Sequence, residues 1–593
     1  MQKVFNRTPR LYQGPVISHL LKMMAFELPP EPVLMVQPTG SGKSTVPLTC
    51  AVVTGGVTFI IENTLALGSD QASKVPSLVT SSIKEIKSYQ LDTFKSPVEL
   101  QSLCDGILSH LSSNKMTSFI CYTSPETLLN DITVQFVQKL VTNKQLNLFC
   151  IDEIHLFLEF GISFRQIFQT LKSKIVSMFY NKDNTMKLPI LLMTATFDLN
   201  MFSIIQRMLG LSLYSTNVFW GEASCFKKRH ISIKMKYSTQ IFKHCTDSIS
   251  SHCGNRDDNK AIIITSTASR ASDIQQKLDS WLDSTSNIKG DSVLVIGDLE
   301  TETKFAYTTE FTNTYYGANG NNYRNDKLCP RFLLGTPGCI GAGLDCAYVD
   351  LVCRVGLPSS LIHFIQEMGR CGRSSNSENN TFSIVFHLND YVYLIERMFL
   401  TDKDNTGNNT TTSNHHNLMT KEKERQYYTE NLNRMCRMLF CDCGCWHVCL
   451  ELVSANPFSN DQLYHQLSPC MNSCPHCDQT RLQYVKKVSK RGLQCFLAST
   501  LMSTHDKTYT APMLAKALLD YPNVGRLIYG RKTAIKAEKS SDAAITVLQL
   551  LCCNILHLHV KESKSPQSIC ILSRTDSTPH YLLDPYWERI NHF

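Results

Sequence analysis

The stretch VLMVQPTGSGKSTVPLTC, residues 33–50, decides the fold. An apolar run stops at Pro38, two glycines follow, and Gly42-Lys43-Ser44-Thr45 opens a new apolar segment. This reads as a buried strand, a tight loop and the first turn of a helix. Backbone N–H groups at a helix N-terminus, helped by the helix dipole, favour an anion. The spacing predicts a phosphate cradle from Thr39, Gly40, Ser41, Gly42, Lys43, Ser44 and Thr45. Lys43 is expected on the outer phosphates of ATP and the Ser44 hydroxyl on Mg²⁺. Gln37 stands where the strict G-x-x-x-x-G-K-[ST] pattern begins with glycine, so the strict form is not met.

Working outward, short apolar runs recur at 57–61, 148–151, 190–193, 261–264, 293–296 and 332–334. Segments of helical periodicity lie between them, for example PVISHLLKMMAFEL and SDIQQKLDSWL. Strands alternating with helices predict parallel sheets. The alternation occurs twice, which gives two α/β domains over 1–220 and 221–400. Residues 401–425 open with TDKDNTGNNTTTSNHHNLM, polar and aperiodic, and read as a linker. A cysteine-rich module, 426–485, and a last domain, 486–593, complete the expected order.

The bulk composition agrees. A chain of 593 residues is too long for one core, and 43% hydrophobic residues is ordinary for a folded protein. No apolar run reaches the roughly 18 residues of a spanning helix, and the first residues carry charge without an apolar core, so an intracellular protein is expected. In a reducing compartment the 24 cysteines are expected to be free or metal-bound rather than paired. The net charge is +8. Residues 481–540 hold twelve Lys or Arg against three acids, a footprint for a polyanion.

LFCIDEIH, 148–155, supplies the partner of the phosphate loop. A strand ends in two adjacent carboxylates, and successive strand side chains face opposite ways. Asp152 is expected to face Mg²⁺, and Glu153 to position or activate the attacking water. Further on, Cys470, Cys474 and Cys477 have metal-ligand spacing and need a fourth ligand from upstream. Cys441, Cys443, Cys445, Cys449 and His447 all compete for that place.

These residues resemble a family. Asp152-Glu153-Ile154-His155 looks like the DExH box of superfamily 2 helicases, in which the first glycine of the phosphate loop is not required. The more specific resemblance is to the RecQ DNA helicases. IHLFLEFGISFR, 154–165, resembles their aromatic loop, and NTLALGSDQ, CYTSPETL and MTATF resemble motifs Ia, Ib and III. IIITSTASR, GTPGCIGAGLDCAYVDLV (with Gly341, Gly343 and Asp345) and QEMGRCGRS resemble motifs IV, V and VI. Ile154 for the usual Ala, and Cys339-Ile340 in motif V, depart from the family.

The resemblance implies two tandem RecA-like domains, then a helical zinc-binding module and a winged-helix domain. It implies an ATP-dependent 3′→5′ DNA helicase of recombination or repair, nuclear if the source is eukaryotic. The DNA would be single-stranded and tailed or branched duplex, with no membrane partner. Arg10 and Gln13 match the R-x-x-Q that reads adenine, and Asp345 belongs to the nucleotide site. Arg373 is taken as the arginine finger and Arg370 as a second phosphate contact, with the reverse order open. His155, Phe157, Phe160, Phe164, Arg165 and Gln366 are expected to couple hydrolysis to DNA, the phenylalanines by stacking on bases. Cys436-Arg437 and Cys477-Asp478 fit the zinc pattern, which selects Cys436, Cys470, Cys474 and Cys477 for Zn²⁺. In the tail, helical segments precede HLHV and SICILS, which read as the two strands of a wing. The alternative is a DNA-structure-binding ATPase that switches affinity without unwinding. An RNA helicase is a third reading.

Overall fold

The computed structural model describes residues 8–400 apart from 38–40, 63–71, 73–74, 76–84, 95, 114–116, 156–166, 168–169, 198–199, 222–229, 254–258, 286–287, 289, 314–329, 341–345, 347 and 374–379. It also describes 415–440, 445–447, 450, 474, 513, 545, 547–549, 551, 556–561 and 569–574.

The apolar run that opens the phosphate loop becomes β1 (Pro32–Val36), buried along its whole length. It belongs to a seven-stranded parallel sheet with β2 (Gly56–Ile61), β3 (Ile86–Gln90), β4 (Ser118–Thr123), β5 (Leu146–Ile151), β6 (Ile190–Thr194) and β7 (Val218–Trp220). The order across the sheet is β3-β4-β2-β5-β6-β1-β7. Strands covered on both faces read as continuous apolar runs, which is why VLMV, VTFII, LFCI and ILLM stand out in the sequence. One face carries Val57, Phe59, Ile61, Phe149 and Ile151. The other carries Ile60, Tyr122, Leu148 and Cys150, beneath α1 (Gln13–Met24) and α2 (Thr45–Thr54). All carboxyl ends of the strands lie along one edge, where open α/β sheets bind ligands.

The second sheet has six parallel strands: β8 (Ile231–Tyr237), β9 (Lys260–Thr265), β10 (Asp291–Val295), β11 (Pro330–Gly335), β12 (Val349–Val355) and β13 (Asn380–Phe386). Their order is β10-β11-β9-β12-β13-β8. The two α/β layers expected from the alternation are thus present. All seven apolar runs named from the sequence form strands. β8 and β12 did not stand out for physical reasons. ISIKMKY alternates apolar residues with lysines, and VDLVCRV buries Asp350 and Arg354 inside the strand.

The stretch read as a linker is corrected in part. A long helix, α5 (His415–Phe440), starts within 401–425. It packs on α3 (Leu361–Met368) and α4 (Leu388–Leu400) of the second sheet domain. Its buried residues include Leu432, Met435, Cys436 and Leu439, the spacing of a single helical stripe. That stripe joins Cys445, Trp446, Leu450, Cys474, Val547, Leu548 and Leu551 to the core of the second sheet, so the cysteine module shares this core. Tyr391 donates to Asn433 at 2.7 Å and Gln549 to the Phe440 carbonyl at 2.6 Å across the same junction.

Near the C-terminus, β14 (Leu556–Lys561) and β15 (Ile569–Arg574) pair as the antiparallel hairpin read from HLHV and SICILS. β14 lies against α4. The basic stretch 481–540 and most of the helical segments before the hairpin lie outside the described residues. No described helix is long and apolar enough to cross a membrane.

Candidate nucleotide site and cysteine–histidine cluster

The phosphate loop turns at Gly42, where φ is +85° and an added Cβ would sit 3.1 Å from Gln13 Nε2. Only glycine tolerates that conformation at little cost. Lys43 is buried, and its Nζ donates to the Gln37 carbonyl at 3.2 Å and lies 3.8 Å from Glu153 Oε1. Gln37, the residue that departs from the strict pattern, thus supplies the lysine's seat through its backbone. Ser44 precedes α2 and makes no side-chain cap bond there. Thr45 Oγ1 instead donates to the Gly42 carbonyl at 2.7 Å. Thr39 and Gly40 lie outside the described residues.

Gln13, which the resemblance assigns to adenine, is bonded to the phosphate loop. Its Nε2 donates to the Gly42 carbonyl at 3.0 Å and to Thr45 Oγ1 at 2.8 Å. Its Oε1 accepts from the Arg10 N–H at 2.8 Å. Gln13 therefore braces the phosphate loop, and Tyr12 adds a bond from its hydroxyl to the Ser41 carbonyl at 2.9 Å. Arg10 is exposed.

Asp152 and Glu153 leave the end of β5 as expected. Asp152 is buried, and burial, then the Glu153 charge, push its carboxyl up to about 7. Glu153 has a left-handed backbone, φ 47°, a strained conformation for this residue type. Its N–H donates to Asp152 Oδ1 at 2.8 Å. Burial pushes the Glu153 carboxyl up but is outweighed by Lys43, His155, Arg370 and the Ala195 N–H, so it is held below its ordinary value. Adjacent acids in different protonation states suit different roles.

His155 is fully buried. Burial, with Lys43 opposing any further positive charge, pulls its pKa down to about 4, against the attraction of Glu153. The ring is therefore neutral, and its tautomer follows from its neighbours. Thr194 Oγ1 donates to the Thr196 carbonyl at 2.7 Å, so it accepts from His155 Nδ1–H, 2.7 Å away. That leaves Nε2 as a lone pair for the Gln366 amide. Gln366 lies on α3, in the second sheet domain, so this bond joins the two domains. Ile154 and Ile362 belong to one apolar cluster at the same junction, which accounts for a residue larger than the family's Ala.

Of the two arginines, Arg370 is buried and its charge acts on Glu153. Arg373 donates from Nε to the Gly369 carbonyl at 3.1 Å. Arg354 and Glu367 form a buried pair at 3.1 Å beneath them. Phe157, Phe160, Phe164 and Arg165 of the aromatic loop, and Gly341, Gly343 and Asp345, lie outside the described residues.

One residue of this site escaped the sequence reading. Glu62 follows β2 directly, is 1% exposed, and neither of its carboxylate oxygens has a hydrogen-bond partner among the described residues. Burial first, then Asp152 and Glu153, push its pKa well above the ordinary value. Its only sequence signal is an acid at the end of an apolar strand, which is also the signal that picked out Asp152.

A second cluster lies far along the chain. The ligand atoms of Cys445, His447 and Cys474 fall within 4.8 Å of one another, and all three residues are buried. The two Sγ atoms are 4.0 Å apart. Two thiolates on one tetrahedral zinc would stand about 3.8 Å apart. His447 Nε2 lies 2.9 Å from the Ile231 carbonyl, and a proton shared there leaves Nδ1 free to bind a metal. Nδ1 has no hydrogen-bond partner among the described residues. The donor set fits zinc. Its members overlap only in part with the expected ligands. Cys474, one of the expected ligands, lies in the cluster, whereas Cys436 lies on the buried stripe of α5 and is not one of the three. Cys445 and His447, the competitors, take part. Cys441, Cys443, Cys449, Cys470 and Cys477 lie outside the described residues.

Comparison with known proteins agrees with the first cluster. Residues 12–203 match the family described as DEAD/DEAH box helicase. A curated relative, ATP-dependent DNA helicase Q-like 5 of Arabidopsis thaliana, is 24% identical over 361 residues, 57% of this chain. The match spans about a third (32%) of that relative's length. Among solved structures, Mss116p bound to ssRNA and AMP-PNP is similar at 15% identity and TM-score 0.45, over 78% of this chain and 91% of that one. Helicase Lhr of Mycobacterium smegmatis, bound to ssDNA and AMP-PNP, is similar at 13% identity and TM-score 0.43, over 72% and 53%. The match to the DEAD/DEAH box helicase family spans the first sheet, with its phosphate loop and acidic pair.

Proposed function

We propose that this chain is an ATP-driven, RecQ-like DNA helicase that moves 3′→5′ along one strand and separates duplexes. The observation that carries the reading is the neutral His155 held between Thr194 of the first sheet and Gln366 of the second, beside Lys43, Asp152 and Glu153. A site shared by two domains converts a change at the phosphates into a change of their separation. The RecQ assignment and polarity rest on the sequence motifs, with the Arabidopsis relative in support.

The site residues fit a nucleotide and Mg²⁺. Among the described residues, Gln37 Nε2 and Ser41 Oγ are buried without hydrogen-bond partners, and the Glu62 oxygens share that condition. Native interiors rarely leave such groups unpaired. Lys43 is positioned to exchange the Gln37 carbonyl for an outer phosphate. Ser44 and Asp152 would hold Mg²⁺, which supplies neutralisation of phosphate charge. Glu153, held ionised, orients the attacking water. Arg370 stabilises charge on the transferred phosphoryl group, with Arg373 behind it. Gln13 holds the loop in shape, and Arg10 is left for the base. In the second cluster, Cys445, His447 and Cys474 would hold Zn²⁺, with a fourth ligand from the cysteines of 441–477.

The test is strand displacement with ATP on 3′-tailed and 5′-tailed DNA duplexes, beside RNA duplexes of the same sequence. Unwinding of the 3′-tailed DNA alone is expected. Hydrolysis with no displacement would favour an affinity switch, and preference for RNA would move the substrate to the other nucleic acid.

A further inference from the structure

Glu62 is the buried acid that the proposed mechanism leaves unused. β2 and β5 pair in parallel with Ile61 beside Ile151, so the next residues along, Glu62 and Asp152, are lateral neighbours. The Asp152 N–H donates to the Ile61 carbonyl at 3.0 Å, which carries the pairing to that point. Neighbouring strands stand about 4.8 Å apart. Ile60 and Cys150 project to the face beneath α1 and α2, and strand alternation sends Glu62 and Asp152 to the same face. Ser44, at the start of α2, sits above that face. Lys43 is close enough to act on both carboxylates.

A buried carboxylate with no donor is costly unless a cation or proton compensates it. The Glu62 carboxylate has no hydrogen bond among the described residues, and neither has the Tyr122 hydroxyl on the same face, in the next strand. Mg²⁺ in nucleotide sites is held by one or two carboxylates together with substrate phosphates. We propose that Glu62 is the second carboxylate of the divalent-cation seat, sharing with Asp152 the ion that accompanies the nucleotide. The proposal rests on the nucleotide-site reading above and adds a residue to it.

The test uses the full chain with Mn²⁺ and a non-hydrolysable ATP analogue, with bound Mn²⁺ read by electron paramagnetic resonance. Glu62→Gln keeps the shape and removes the charge. It should weaken Mn²⁺ binding at least tenfold while leaving metal-free nucleotide binding equal or tighter, because a repulsive charge has gone. Asp152→Asn is the reference. If Asp152→Asn weakens Mn²⁺ binding and Glu62→Gln does not, the Glu62 proposal is overturned and the nucleotide site stands. If neither variant changes Mn²⁺ binding, both readings are lost. Glu62→Asp keeps the charge on a shorter arm and is measured in parallel. Should Glu62→Gln fail to fold, a severalfold loss in Glu62→Asp supports the proposal, and parental affinity overturns it.

Discussion

Two places where the described residues gather ligand atoms are built in opposite ways. At the edge of the first sheet the groups are charged and strained: Lys43 against Glu153, a left-handed Glu153, and a Glu62 carboxylate with no donor among the described residues. Behind the second sheet, Cys445, His447 and Cys474 are set in an apolar core that runs unbroken from β8 through α5. One histidine nitrogen is already tied to the Ile231 carbonyl. The first arrangement suits a ligand that comes and goes, because its groups are not fully satisfied without one. The second suits an ion that stays, because removing it exposes a core.

The sharpest way to break this comparison is to remove the ligands of the proposed zinc. Cys445→Ser with Cys474→Ser should take tightly bound zinc from one per chain to none. Thiolate–zinc binding is worth on the order of 10 kcal/mol in small modules, comparable to the whole stability of a domain. Because these residues share the core of the second sheet, the damage should reach that domain, with new proteolytic sites after about residue 230 and the first sheet intact. Cys436→Ser is the control and should keep zinc, losing only core packing. Zinc lost from Cys436→Ser, or absent from the parent, would sink the ligand assignment.

Next in size is the transient site. Lys43→Ala should lower ATP hydrolysis by on the order of a thousandfold while the thermal midpoint barely moves, since Lys43 serves a ligand rather than the core. Glu153→Gln should hydrolyse as poorly yet still bind ATP. Loss of nucleotide binding in Glu153→Gln would mean that the two carboxylates have exchanged roles.

The contrast also explains what the sequence could reveal. The phosphate loop, the acidic pair and QEMGRCGRS are short motifs whose chemistry requires fixed spacing, so they were legible. Apolar parallel strands were legible because burial on both faces leaves no polar alternation. Glu62 was not, because its meaning depends on lying beside Asp152, 90 residues away, and only the β2–β5 register shows that. The cysteine–histidine cluster was half legible. Cys474 has ligand spacing, but choosing among the upstream cysteines needs the rotation of α5, which turns Cys436 into the core. That the Gln13 amide is bonded to Gly42 and Thr45 was not legible, because a sequence motif does not show which groups its side chain meets.

The link between the domains offers a smaller effect. Gln366→Ala removes the amide that reaches His155 from α3. Basal ATPase should change little, whereas stimulation by single-stranded DNA should fall about tenfold, since coupling free energies are typically 1–3 kcal/mol. Equal losses in both rates would make Gln366 part of the hydrolytic machinery rather than the link.

The smallest effect expected is a pH dependence. His155 ordinarily titrates near 6.5, and in the folded chain it is pulled down to about 4. Below pH 6.5 the unfolded chain takes up a proton that the folded ring refuses, so stability contributed here falls as pH falls. The loss should be about 1 kcal/mol between pH 6.5 and 5.5 and should continue until the folded ring itself titrates. His363, pulled down to about 3, adds a slope of the same sign. Asp152 and Glu367, both pushed up to about 7, work in the opposite direction, because they bind protons more readily when folded. The total slope therefore mixes signs, and the informative quantity is the difference between the parent and His155→Asn. Denaturant unfolding at pH 6.5 and 5.5 should show the parent losing about 1 kcal/mol more than the variant over that interval. A parent and variant with equal slopes would mean that His155 is not held neutral. The Thr194–His155–Gln366 chain would then need a different proton arrangement, in which Gln366 offers its carbonyl oxygen rather than its amide.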